Sequence, residues 1–246
     1  MPPFLSPALA ALAFLTRLAP GRPLAPATLA ASVIWYAPVG LLVGFLALIP
    51  HFLGLWPSAA GLQGWLYLGL SAWITRGLHW DGLMDLADAW GSNASGETFW
   101  AVTKDSRIGA FAVLAVFLIG GGQWCAASAL LAAQAWQPLL IAPLAGRAVC
   151  VLLLAVSPAW PGSTLAQAVK PGATAAACLV SLILAIGGSI WAVGPGKTLL
   201  LAIAASALLI GLCRIARSNG GLNGDFLGAA ILLAELLTLL AALVWL

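Results

Sequence analysis

Long apolar runs, each about the length that crosses a bilayer, are what most constrain the fold of this chain. They fall at roughly 28–49, 61–78, 109–133, 138–156, 173–193, 197–213 and 226–246, with polar joints between them. A membrane-crossing helix needs about 20 such residues. Only 7% of the residues are charged and 63% are hydrophobic, against about 25% charged in soluble domains. A water-soluble fold this poor in charge would have nothing to coat its surface. The alternating pattern of barrel strands is missing, and in lipid that leaves helices as the way to satisfy the backbone. The expectation is an all-α, polytopic integral membrane protein of about seven transmembrane helices, forming one domain over 1–246. A further apolar stretch at 4–18 is too short to span and reads as an interfacial or re-entrant helix. Ala19-Pro20-Gly21-Arg22-Pro23 ends it.

Loop charge orients the spans. Arg17 and Arg22 precede the first run, which places the N-terminus inside. No basic segment precedes the first apolar stretch, so a signal peptide is not expected. Alternating from there, the loops near 50–60, 134–137 and 194–197 fall outside and hold one charge, Lys197. Those at 79–108, 157–172 and 214–225 fall inside, with Lys104, Arg107, Lys170, Arg214 and Arg217. The site expected in these loops therefore faces the cytoplasm, across a bacterial or archaeal cytoplasmic (inner) membrane. A net charge of +3 gives no reason to expect nucleic acid as a partner. Cys125, Cys150, Cys178 and Cys213 are scattered through apolar runs and suggest neither zinc nor disulfides.

The carboxylates are concentrated. Of seven, five (Asp81, Asp85, Asp88, Glu97 and Asp105) lie within 25 residues. On a helix Asp81, Asp85 and Asp88 stand at i, i+4 and i+7 and share a face. Stacked acids repel, and a divalent cation with phosphate or diphosphate groups would turn that repulsion into binding. His79 beside them suits a general base or a substrate contact. In Lys104-Asp105-Ser106-Arg107-Ile108-Gly109, two cations and a hydroxyl suit phosphate oxygens. Arg147 lies mid-span, where a bare arginine costs at least roughly 2.5–3.5 kcal/mol on insertion scales; it either faces a polar cavity or pairs with an acid. Glu235 is either that partner or a cavity residue. Gly220-Gly221-Leu222-Asn223-Gly224-Asp225 opens the last run, with Asp225 at or near an N-cap, and Asn223 and Asp225 are candidate phosphate, metal or sugar contacts.

These motifs carry a resemblance. HxDGxxDxxD at His79–Asp88, KDSRIG at Lys104–Gly109 and GGxxGDxLGA at Gly220–Ala229 resemble the adenosylcobinamide-GDP ribazoletransferase family, the cobalamin (5'-phosphate) synthases. Phe14-Leu15-Thr16-Arg17-Leu18 and Pro38-Val39-Gly40-Leu41-Leu42-Val43-Gly44 look like its opening and first span, so the resemblance covers essentially the whole chain. The chain differs in having Ala89-Trp90 where glycine often follows the third aspartate, and Leu232 where many relatives carry a second glutamate.

The resemblance implies a Mg²⁺-dependent condensation of adenosylcobinamide-GDP with α-ribazole or its 5'-phosphate, releasing GMP. In that scheme Asp81, Asp85 and Asp88 hold one or two Mg²⁺ on the diphosphate. Lys104 and Arg107 stabilise the leaving GMP, Arg147 grips a phosphate deeper in, and Asp88 or Asp105 takes the nucleophile's proton. A homo-oligomer or a complex with other cobalamin-assembly enzymes is compatible with it.

Other diphosphate-using membrane enzymes share aspartate arrays. CDP-alcohol phosphotransferases need an Ala-Arg that is missing after Asp81-Gly82, and UbiA-type prenyltransferases need a second ladder. A corrinoid or metal transporter is the third reading, favoured by Arg147 and Glu235 but not by acids gathered at one face.

Overall fold

The computed structural model describes residues 5–21 and 24–244. Arg22, expected to help orient the chain, the start of the short 4–18 stretch and the end of the last apolar run lie outside the described residues. The helices are α1 (Leu5–Leu15), α2 (Pro26–Ser32), α3 (Tyr36–Ala47), α4 (Ile49–Phe52), α5 (Ala60–Ile74), α6 (Leu78–Gly91), α7 (Glu97–Val102), α8 (Ala110–Ala115), α9 (Gly121–Ala132), α10 (Gln137–Val156), α11 (Thr164–Val169), α12 (Ala175–Ser218) and α13 (Gly224–Leu243). Among the described residues there is no strand, only an isolated bridge between Ala159 and Leu222.

Among the described residues five helices are long and apolar enough to cross a membrane: Pro26–Ala47, Ala110–Ala132, Gln137–Val156, Ala175–Ser218 and Gly224–Leu243. The first joins α2 to α3 through a 3₁₀ turn at Val33–Trp35. The second joins α8 to α9 through five π-helical residues, Val116–Gly120. The fourth is two arms. Gly194 has φ 82° and ψ 168° and is followed by Pro195. Leu182 and Leu209 line the same cavity, yet they would stand about 40 Å apart in a straight helix. The chain therefore folds back at Gly194, and the expected spans at 173–193 and 197–213 are the two arms of this hairpin.

The expected span at 61–78 is shorter than the sequence suggests. α5 stops at Ile74 because Arg76 (φ 59°) and Gly77 (φ 68°) are both left-handed. Gly77 N–H donates to Ala72 O and Arg76 N–H to Trp73 O, the pairing that closes a helix C-terminus. The aspartate ladder then has a helix of its own, α6. Arg76 also donates to the last carbonyls of α1, at Ala13 and Phe14. Arg17 N–H in turn donates to Ile74 O. The N-terminal segment is thus tied to the α5–α6 turn.

At the centre stands α10, buried along almost its whole length and packed against α3, α12 and α13. Glycines bring α3 in: a Cβ on Gly40 or Gly44 would run into the carbonyl oxygens of Pro143 or Leu140. Small residues at such a contact let helix backbones approach closely in lipid. Pro143 has no N–H for the carbonyl of Leu139, and the Tyr67 hydroxyl donates to that oxygen at 2.7 Å instead. The last α10 carbonyls accept from cations, Lys170 at Leu154, Ala155 and Ser157 and Arg217 at Val156, as the negative end of a helix favours. Away from the centre the large apolar side chains face outward, among them Phe117, Ile183, Trp191 and Ile203. Such faces need lipid as solvent.

Candidate active site

Two glycines build the site by letting α6 cross α13 at close range. A Cβ on Gly82 would lie 2.8 Å from the Asp225 Cα, and one on Gly228 would lie 3.0 Å from the His79 carbonyl oxygen. α13 starts where it does because the Asn223 side chain accepts from the N–H groups of Asp225 and Phe226. The cap is therefore Asn223, while Asp225 occupies the first turn, with its carboxylate accepting from the Asn223 amide. Asp225 and Asp81 line one cavity, so a carboxylate distant in sequence joins the ladder.

The ladder residues differ in surroundings. Asp81 is exposed, while Asp85 and Asp88 are half-buried. Burial first, then the charges of Asp225, Asp81 and Asp88, push the Asp85 carboxyl up to about 7. Carboxylates crowded this way hold uncompensated negative charge.

Asp88 is otherwise engaged. Its two oxygens accept from Gly109 N–H and Ala112 N–H, both at 2.8 Å. These are free amides at the start of α8, where a carboxylate also meets the positive end of the helix. A Cβ on Gly109 would collide with this carboxylate, which explains the glycine closing Lys104–Gly109. Asp88 thus fastens α8 to the ladder, while Asp225, its carboxylate accepting from the Asn223 amide, stands with Asp81 at the cavity.

The Lys104–Gly109 loop is exposed at Lys104, Ser106 and Arg107. Arg107 Nε donates to both oxygens of Asp105, at 3.0 and 3.1 Å. These hydrogen bonds hold the Asp105 carboxyl down at about 2. Lys104 Nζ lies 4.8 Å from the Trp160 ring, and Trp160 stacks on Trp100 at 4.0 Å. Trp100 Nε1 donates to Asn219 O, while Asn219 Oδ1 accepts from Gly96 N–H. The three loops expected on one side are thus knit together. Trp160 and Asn219 carry no chemical signature that sequence reading could have used.

Arg147 is placed otherwise than expected of a phosphate contact. It is fully buried. Nη1 donates to Glu235 Oε1 at 2.8 Å and to Pro143 O at 3.0 Å. Nη2 lies 3.0 Å from His79 Nε2. A guanidinium only donates, so His79 accepts at Nε2, and a neutral ring carries its proton on Nδ1. The open choice for Glu235 resolves as the partner of Arg147. His79 lines one cavity with Asp81 and Asp225.

Among the described residues no group of three or more His, Cys, Asp or Glu side chains is drawn together tightly enough to hold a metal ion. The acids of α6 and α13 form an open cleft, not a closed cage.

The fold and this cleft define a class: a polytopic helical membrane protein with a carboxylate-lined site at the crossing of two helices. The Cobalamin-5-phosphate synthase family matches residues 7–243, and the chain belongs to it. An adenosylcobinamide-GDP ribazoletransferase of Nitratidesulfovibrio vulgaris strain DP4 is 43% identical over 98% of this chain and 99% of its own length. Proteins of the same description are 38% identical in Ectopseudomonas mendocina, over 94% of this chain and 96% of theirs, and 36% identical in Brevibacillus brevis, over 85% of each. No solved structure matches the chain.

Proposed function

We propose that this protein joins adenosylcobinamide-GDP to α-ribazole or its 5'-phosphate, releasing GMP and giving adenosylcobalamin or its 5'-phosphate. A ribose hydroxyl attacks the phosphorus bonded to the cobinamide arm, the diphosphate P–O bond breaks, GMP leaves, and the hydroxyl proton passes to a carboxylate or to water. The observation that carries this reading is the convergence of Asp225 with Asp81 and Asp85 across Gly82, in a chain whose relatives bear the name of this transfer. Phosphoryl transfer depends mainly on positioning and on neutralising charge.

Mg²⁺ suits the donor set. The oxygens are hard, and at Asp85 burial first and then the charges of Asp225, Asp81 and Asp88 oppose ionisation, a penalty that a bound cation would relieve. Mg²⁺ commonly takes one or two carboxylates and completes its shell with water and substrate phosphates, so an open cleft is adequate. Asp81, Asp85 and Asp225 would hold it. When bound, it would neutralise diphosphate charge. Lys104, Ser106 and Arg107, exposed on the loop fastened by Asp88, suit the departing GMP.

The cytoplasmic membrane, with the N-terminus and site inside, is part of the same reading. Arg17, Arg76, Lys170 and Arg217 gather at the end of the bundle that holds the loops of the site, while Lys197 caps the far end of α13 at Ala242 O. This asymmetry follows the positive-inside rule.

The test is GMP release by purified, lipid-reconstituted protein given both substrates, with Mg²⁺ or with chelator. Release that needs both substrates and the metal, with a corrinoid product, is expected. Folded protein that releases no GMP rules the reading out; release indifferent to chelator removes the metal alone.

A further inference from the structure

The cavity that Asp81 and Asp225 line measures about 130 Å³, close to the size that engulfs one aromatic ring. Its rim is polar, with His79, Asp81 and Asp225; its inner wall is apolar and aromatic, with Phe14, Tyr36 and Cys150. Phe14 belongs to the N-terminal Phe14–Leu18 motif, which the reaction otherwise leaves without a task. Arg76 and Arg17 tie that segment to the turn before α6, and Phe14 stacks on Tyr36 with ring centroids 6.1 Å apart.

Two polar groups of this cavity have capacity to spare. Tyr36 is 1% exposed, and among the described residues its hydroxyl makes no hydrogen bond of good geometry; the nearest side-chain partner is Ser32 one turn back, whose own hydroxyl donates to Leu29 O. A buried hydroxyl left unpaired is costly. His79 is fixed at Nε2 by Arg147, so its neutral ring has an N–H donor left at Nδ1.

We propose that this cavity is the subsite for the base of the acceptor nucleoside, the benzimidazole of α-ribazole, with its ring nitrogen accepting from Tyr36 Oη or His79 Nδ1. The proposal rests on the transferase reading and adds the place of one substrate to it. A benzimidazole glycosylated at one nitrogen is a flat apolar ring system with a single remaining acceptor. That matches an apolar wall with unpaired donors. Its ribose would then lie at the rim beside Asp81 and Asp225, where a hydroxyl has to meet the diphosphate. The guanine of the donor fits worse, because it would bury several unpaired polar groups against Phe14 and Cys150.

The experiment is Tyr36→Phe in the full chain, with kcat and KM measured for each substrate in turn, and thermal stability alongside. A neutral hydrogen bond contributes about 0.5–1.5 kcal/mol, so KM for α-ribazole is expected to rise up to roughly tenfold. KM for adenosylcobinamide-GDP should stay put, and the thermal midpoint should hold or rise, since an orphaned hydroxyl is removed. Cys150→Met narrows the cavity and is the second variant. It should penalise α-ribazole more than the riboside of unsubstituted benzimidazole. An active wild type whose variants leave the α-ribazole KM and base preference unchanged, or shift both substrates equally, overturns the subsite. A wild type inactive with both substrates overturns the transferase reading, and the subsite with it.

Discussion

Burial, and then the charges of Asp225, Asp81 and Asp88, act on Asp85, and this has a consequence for stability. Its carboxyl is raised from an ordinary value of 3.8 to about 7. The native protein therefore binds that proton more tightly than the unfolded chain does. Stability then falls as pH rises from about 4 to about 7, because the unfolded state releases the proton first. In chelator, Asp85→Asn should raise the thermal midpoint above wild type at pH 8, and the gap should close as pH falls toward 4. A gap that widens on acidification would contradict the crowding of acids at this cleft. The ladder itself was legible in the sequence, since i, i+4, i+7 spacing fixes a shared face whatever surrounds it. What distinguishes Asp88 was not: its partners, the amides of Gly109 and Ala112, lie more than a helix away along the chain. Nor did Tyr36 stand out, because an unpaired hydroxyl is a property of packing.

At the scale of elements, the glycines of α6 and α13 decide whether there is a site at all. The apolar runs predicted helices well, since in lipid the backbone has little other choice. Their lengths were less legible: α5 ends early at two left-handed residues, Arg76 and Gly77, and arginine is not a residue from which such a turn is read. The glycine of the ladder motif, Gly82, carries no sign in the sequence of what approaches it. It admits a helix. Gly82→Ala would set a Cβ 2.8 Å from the Asp225 Cα, so α13 has to move off α6. Misplacing reacting groups by about 1 Å can lower rates on the order of a hundredfold, and a loss of that size in GMP release is expected, with protein still present in the membrane. Wild-type turnover in this variant would mean that Asp225 works independently of the ladder.

Across the whole molecule, one buried network joins the helices that carry the site. Arg147 on α10 holds Glu235 on α13 and His79 on α6; His79 lines the cavity of the cleft, whereas Arg147 and Glu235 stand outside that lining. The sequence showed a costly arginine and a stray glutamate but left their pairing open, because only the packing of α10 against α13 brings them together. Breaking a buried pair from one side leaves an unmatched charge and costs about 3–5 kcal/mol, whereas replacing both partners with apolar residues is often neutral. Arg147→Met and Glu235→Met should each lower the thermal midpoint sharply, while the double variant recovers much of the loss. A strut and a phosphate clamp part ways in that double variant. If Arg147 serves only to brace α6 against α13, the stability regained should bring GMP release part of the way back, with the adenosylcobinamide-GDP KM little changed. If Arg147 instead grips a phosphate, the refolded double variant should remain inactive or show a greatly raised KM for that substrate. Restored stability without restored turnover would therefore return Arg147 to the reaction and refute its assignment as a structural link.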